Sequence, residues 1–384
     1  MSILRRSFRG LVPAVLILVA IYAAVSVGGG LWLTDRTAAA QGTTSGAQGT
    51  TSGVTEDSPA GAVEGLVPGN TLGGASDTDL WRAIRGGVQG KVSIPDRQSG
   101  VLIQSEGDSW RAVRNGPVST YGIWAILGVI AVLAIFFALR GRIRIEAGRS
   151  DQTIERFNGL ERFAHWLMAG SFVILALTGL NLLYGRYFLP DVIGKPIFAA
   201  LTAWGKYAHN YLAFAFMAGL VLSFVLWVAH NFPTRTDLNW LLKGGGLFSK
   251  HSHPPAEKFN AGQKILFWLV MLGGLSISLS GLSLMFPFEL PMFAKTFAVL
   301  NVVGLDLPTV LSPMQETQLA QVWHSVMALV LIVVIVGHIY IGSIGMEGAF
   351  DAMGNGQVDL NWAREHHGLW VEKAQEQTPS DGKH

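Results

Sequence analysis

The sequence predicts an all-α membrane protein: a four-helix transmembrane bundle, one extra transmembrane helix before it, and an exported N-terminal arm. Three observations lead there. Half of the 384 residues are apolar and only 14% are charged, whereas soluble domains carry roughly 25% charged residues. Five apolar stretches each approach the ~20 residues that a bilayer requires. Basic residues are spread unevenly over the short loops between those stretches, as they are when a chain has one fixed orientation in a membrane.

Residues 1–40 open with Arg5, Arg6 and Arg9, run through an apolar stretch from Leu11 to Val27, and close on Ala38, Ala39 and Ala40. That is the basic, apolar and small-residue order of a secretory signal peptide. An uncleaved N-terminal anchor stays open as the alternative, because the apolar stretch continues loosely to Leu33. Residues 41–75 repeat Gly, Thr, Ser and Ala (GTTSGAQGTTSG). Such a composition buries no core and predicts a flexible linker. Residues 76–117 mix Trp81, Ile84, Ile94, Leu102 and Trp110 with charges. They predict a short periplasmic arm, with VSIPDRQSGVLIQSEG as one or two strands.

The extra transmembrane helix is expected at 118–139. Four spans follow at 163–185, 207–229, 265–287 and 321–343, inside a core of residues 155–345. Segment 140–162 carries six Arg, and segment 230–264 carries Arg235, Lys243, Lys250, Lys258 and Lys264. The loop at 288–320 carries only Lys295, and that at 186–206 carries three basic residues. The two basic loops are therefore expected on the cytoplasmic side of the membrane. The arm then lies outside, in agreement with an exported N-terminus. The tail, 346–384, is cytoplasmic, and its DLNWAREHHGLW reads as a short surface helix.

Composition removes several kinds of chemistry. A net charge of +2 gives no electrostatic footprint for nucleic acid. The absence of Cys excludes iron–sulfur clusters, disulfides, thiolate zinc sites and covalent haem attachment through C-x-x-C-H. A redox cofactor held by this chain must use His, Met or carboxylates.

The histidines are placed informatively. His324 and His338 share the last span, fourteen residues apart. Fourteen residues are close to four helical turns, so both side chains leave the same face, ~21 Å apart along the axis at a rise of 1.5 Å per residue. A b-type haem iron takes an imidazole on each face of the macrocycle. Two haems stacked across a bilayer therefore need four His, two near each surface. His165 opens the second span on the cytoplasmic side, and His209 opens the third on the outer side. Matching by depth pairs His165 with His338 and His209 with His324. A lone His at a helix end is more often an interfacial residue, but an ionisable group inside a span is costly and tends to mark function. Two depth-matched couples favour two haem b groups. Gly170, Gly179, Gly219, Gly281 and Gly337 would let a flat macrocycle approach the backbone, although small residues also serve ordinary helix packing. His230 reads as interfacial, His251 and His253 as solvated loop residues, and His366, His367 and His384 as tail residues without a role.

The segment FNAGQKILFW (Phe259 to Trp268) resembles the N-A-G-Q-K landmark of the gamma, or cytochrome b, subunit of membrane-bound formate dehydrogenase. ERFAHW (Glu161 to Trp166), YAHN (Tyr207 to Asn210), HNFPTRTDLNWL (His230 to Leu241), VWHS (Val322 to Ser325) and GHIYIG (Gly337 to Gly342) resemble the other landmarks of that family, in order. The likeness spans about residues 155–372. It implies that His165 and His338 bind the cytoplasmic-side haem and that His209 and His324 bind the periplasmic-side haem. It also implies a quinone pocket at Asn260, Gly262, Gln263 and His338, although Asn260 is equally placed to cap the fourth core helix.

The partners implied are an iron–sulfur beta subunit and a molybdenum- or tungsten-bearing catalytic alpha subunit. Electrons from formate oxidised outside would pass from the outer haem to the inner one and on to quinone, in anaerobic respiration. The chain itself would transfer electrons and reduce quinone, and would not oxidise formate. A rival within the same architecture is the di-haem cytochrome b anchor of a nickel–iron hydrogenase or thiosulfate reductase. A rival of another class is a cofactor-free membrane anchor or transporter, for which no inverted repeat or broken helix speaks.

Overall fold

A computed structural model describes residues 107–246 and 252–377 of the chain. The expectations for 1–40, 41–75 and the part of the arm before 107 lie outside the described residues, as do His251 and His384. The described residues form two compact units, one from 117–281 with 323–377 and the other from 107–116 with 282–322.

The helices, in chain order, are α1 (Gly107–Val113), α2 (Ser119–Arg140), α3 (Gly159–Tyr184), α4 (Lys195–Trp227), α5 (Arg235–Leu242), α6 (Ala261–Met285), α7 (Met292–Val302), α8 (Pro313–Tyr340) and α9 (Leu360–Gln377). Five helical stretches are long and apolar enough to cross a membrane: Trp110–Arg140, Gly159–Tyr187, Lys195–His230, Ala261–Met285 and Pro313–Gly345. Each coincides with an expected span, and most run beyond it. The last residues of the expected arm are helical, because a π turn over Arg114–Val118 accommodates Pro117 and carries α1 into α2.

Sequence chemistry fixes the start of α3. Asn158 Oδ1 accepts the Glu161 N–H at 3.0 Å, and Glu161 Oε2 accepts the Asn158 N–H at 3.0 Å. This reciprocal capping box supplies about 1 kcal/mol of helix stability. Glu161 is only 6% exposed, and its Oε1 also accepts Trp227 Nε1–H at 3.0 Å and Lys258 Nζ–H at 2.7 Å. One buried carboxylate thereby ties the start of α3, the end of α4 and the approach to α6. Farther along, α3 and α4 touch at Gly219, where a methyl group would come within 2.7 Å of Met168 N. Only glycine permits that approach.

Around this corner lies an aromatic core. The rings of Phe157, Trp227 and Phe259 meet at centroid distances of 5.8–5.9 Å, and Phe267, Trp268, Leu220 and Met271 extend the cluster. The tail completes it with Val358, Leu360, Trp362, Ala363 and Val371, all buried. The tail is tied down by a two-stranded antiparallel sheet, β1 (Thr153–Glu155) against β2 (Gln357–Asp359), with Ile154 opposite Val358. This overturns the surface-helix reading of DLNWAREHHGLW. Leu360, Ala363, His367 and Val371 recur at helical spacing and form a buried stripe, which the abundant charges of that segment obscure. Lys264 is 3% exposed and pairs with Asp237 at 2.9 Å.

In the second unit, Glu316 near the start of α8 is 1% exposed and accepts the N–H groups of Phe293 and Ala294 at 2.8 and 2.7 Å. A carboxylate there satisfies the free donors and positive dipole end of α7.

Candidate functional site

Four of the histidines form two couples. The ring centres of His165 (α3) and His338 (α8) lie 6.2 Å apart, with planes at 67°. Those of His209 (α4) and His324 (α8) also lie 6.2 Å apart, with planes at 62°. Such rings are too distant and too steeply inclined to stack. An imidazole nitrogen lies ~1.1 Å from its ring centre and ~2.0–2.1 Å from a metal it ligates. Two imidazoles on opposite sides of one iron therefore have centres ~6.3 Å apart. Both couples fit that span.

The tautomer at one couple follows from its neighbours. Thr178 Oγ1 stands 2.8 Å from His209 Nδ1 and donates its own proton to the Ile174 or Leu175 carbonyl, at 2.8 and 3.0 Å. It can only accept from the ring, so His209 carries its proton on Nδ1 and keeps the Nε2 lone pair free. Ser280 Oγ does the same for His324, standing 3.0 Å from Nδ1 while donating to the Ile277 carbonyl at 2.9 Å. A ligand histidine is oriented and made more basic by this kind of partner. At the other couple, His165 Nδ1 is buried with no hydrogen-bond partner among the described residues.

The glycines separate in the same way. Gly179 lies against His209, where an added methyl would meet Cε1 at 3.5 Å, and Gly281 lies against His324 at 3.3 Å. Gly170 and Gly337 face open space with nothing within 4 Å, on the wall of a cavity shared with His165 and His338. Gly219 belongs to the α3–α4 contact, not to a cofactor cradle.

That cavity encloses about 1210 Å³. Asn260, Gly262 and Gln263 line it beside His338. Asn260 and Gln263 cap α6 reciprocally, Oδ1 accepting the Gln263 N–H at 3.0 Å and Oε1 accepting the Asn260 N–H at 3.1 Å. Sequence reasoning missed other parts of the lining. Arg156 is 3% exposed and held at about 9 by burial, which Glu161 partly counters. His253, read as a solvated residue, meets Glu146 Oε2 at 2.6 Å and faces His366. His366 and His367, given no role, both line the cavity. His366 is pushed down to about 4 by burial, with His253 and Arg156 adding. His367, where α9 breaks, is pushed further down by burial and donates from Nδ1 to the Glu257 carbonyl at 2.8 Å. The repeated apolar spacing of the tail was the signal for this wall. His230 is exposed at the end of α4, as expected of an interfacial residue.

The model of a protein family described as prokaryotic cytochrome b561 matches residues 156–356, just over half of the chain. The chain is 27% identical over 237 residues to the cytochrome b556 (Fdn) subunit of the nitrate-inducible formate dehydrogenase of Escherichia coli K12, covering 60% of this chain and 97% of that protein. It is 26% identical over 227 residues to the cytochrome b556 (fdo) subunit of formate dehydrogenase from the same organism, with 59% and 95% covered. It is 25% identical over 228 residues to the formate dehydrogenase cytochrome b556 subunit of Haemophilus influenzae, with 58% and 83% covered.

Proposed function

The chain belongs to the prokaryotic cytochrome b561 family, and on that premise we propose that it is the cytochrome b subunit of a membrane-bound formate dehydrogenase, carrying electrons across the bilayer to quinone. The observation that carries this reading is the pair of histidine couples, each with 6.2 Å between ring centres and each joining one ring of α8, His338 or His324, to one of α3 or α4. His165 and His338 hold one b haem, and His209 and His324 hold the other. Bound there, the two haems supply one-electron carriers near the two surfaces of the membrane.

The chain's own residues do the rest. Thr178 and Ser280 hold the His209 and His324 rings in the tautomer that offers Nε2. The α3 capping box and Glu161 anchor the helix turn that bears His165. Asn260, Gly262, Gln263 and His338 form the quinone pocket in the large cavity, where α9 and the aromatic core limit access of water. The basic loops 140–162 and 230–264 lie on the cytoplasmic side, together with the tail. Partner subunits supply formate oxidation and the iron–sulfur relay, for which this chain has no Cys.

The test is haem reduction in the purified complex by formate, with hydrogen as the control donor. Reduction by formate alone supports the assignment. Reduction by hydrogen alone would transfer the chain to a hydrogenase.

A further inference from the structure

Arg156 is a buried cation with a donor left over. Its guanidinium is 3% exposed and lines the cavity that holds His165 and His338. Nη2 donates to the Lys258 carbonyl at 2.7 Å and reaches Gln263 Oε1 at 3.5 Å. Nη1 is buried with no acceptor among the described residues. Three rings surround the group, Phe157 at 5.2 Å, Trp370 at 5.3 Å and Trp362 at 5.4 Å from their centres. Aromatic faces attract a guanidinium but neutralise no charge.

The nearby carboxylates are occupied elsewhere. Glu161 lies close enough to stabilise the charged Arg156, but its Oε1 takes Lys258 Nζ and Trp227 Nε1, and its Oε2 takes the Asn158 N–H. Asp237 is taken by Lys264 at 2.9 Å. Of the other carboxylates in the cavity lining, Glu146 is taken by His253 Nε2 at 2.6 Å and Glu365 by the Glu146 and Ala147 N–H groups at 3.1 and 2.9 Å, so none of these carboxylates pairs with the Arg156 guanidinium. Burying an uncompensated ion is strongly unfavourable. A rigid, planar fork with a free arm is suited to an anionic oxygen.

We propose that Arg156 binds an anionic oxygen of the molecule that occupies this cavity, either a carboxylate side chain of the haem held by His165 and His338 or the oxyanion of a reduced quinone. The inference rests on the function proposed above and adds a counter-ion to that site. It also gives Trp362 and Trp370 of the tail a purpose: they wall the guanidinium off from water, so that the free arm is satisfied from within the cavity.

The experiment compares the wild-type complex with R156Q and with R156M, whose apolar side chain of similar length leaves no buried donor should R156Q fail to accumulate. Both haems are titrated optically after quinone has been removed with detergent, and the KM for a soluble quinone analogue is measured alongside formate oxidation with a dye. A fall in the midpoint of the His165/His338 haem alone supports the inference and identifies the haem carboxylate, since a lost cation favours ferric iron. Unmoved midpoints with a several-fold rise in KM and unchanged dye activity support it and identify the quinone oxyanion. Unmoved midpoints with an unmoved KM overturn it and leave the proposed function standing. A wild type without haem at this couple overturns both.

Discussion

The two histidine couples share a geometry and differ in their surroundings. Each spans 6.2 Å between ring centres, yet His209 and His324 each give a proton to a side-chain hydroxyl, Thr178 and Ser280. His165 does not, and its couple opens on a cavity of about 1210 Å³ with a buried guanidinium in its wall. Basic, hydrogen-bonded imidazoles favour ferric iron, whereas a neighbouring cation favours ferrous iron. With haems held by these couples, as proposed, the difference would set the lower potential at the His209/His324 haem and the higher at the His165/His338 haem. Electrons would then be drawn toward the cavity end, the direction that the proposed quinone reduction requires.

The largest expected effect removes one half of the comparison. His338→Ala should cost one of two haems and abolish quinone reduction, while formate oxidation with a dye persists. His324→Ala should cost the other haem. A pyridine haemochrome assay that finds both haems retained in either variant would contradict the ligand assignment.

A smaller change should alter one couple without emptying it. Thr178→Val and Ser280→Ala each leave an imidazole N–H unsatisfied, at roughly 1–3 kcal/mol of stability for a buried donor. Both should raise the midpoint of the His209/His324 haem and leave the other in place. Equal movement of both haems would show that the couples are not tuned separately.

The glycines provide a third contrast. Gly170→Val places a side chain into the open cavity and should lower haem content at the His165/His338 couple. Gly219→Val meets Met168 backbone at 2.7 Å and should lower thermal stability without changing the absorption of the haems that remain. Exchange of these two outcomes would reverse the roles given to the residues.

The smallest effect concerns the tail that closes the cavity. Burial keeps His366 and His367 neutral while α9 is docked, His366 down to about 4. Undocked, each takes up a proton near the ordinary histidine value of about 6.5. Docking is therefore fully supported above that pH and weakens as pH falls from about 6.5 toward 4. Hydrogen exchange over 360–377 should quicken across that window, and exchange that stays constant through it would show that these two residues do not control docking.

Much of this was legible in the sequence because bilayers impose simple rules. Apolar length marks all five spans, and depth along them pairs the same histidines whose rings meet, His165 with His338 and His209 with His324. The helix ends were less legible, since α4 starts early on Gly194 and a proline in its first turn, without a side-chain cap, and α8 on the reciprocal Ser312–Gln315 cap. The environment of each couple was hidden for a different reason. Thr178 and Ser280 look like any small polar residues in a span, and nothing local marks the hydroxyls that face a ring. Arg156 stands among six Arg of a loop that reads as a topology signal, and its burial depends on Trp362 and Trp370, some two hundred residues away in the chain. The tail was misread because charge outweighed spacing, although Leu360, Ala363, His367 and Val371 already traced an apolar stripe.

Under the proposed function, one polypeptide holds two haems in unequal surroundings. An optical redox titration of the purified wild-type protein measures it directly. Two one-electron waves with separate midpoints, the lower belonging to the His209/His324 haem, are expected. A single wave accounting for one haem per chain, or material with no haem absorption, would contradict it.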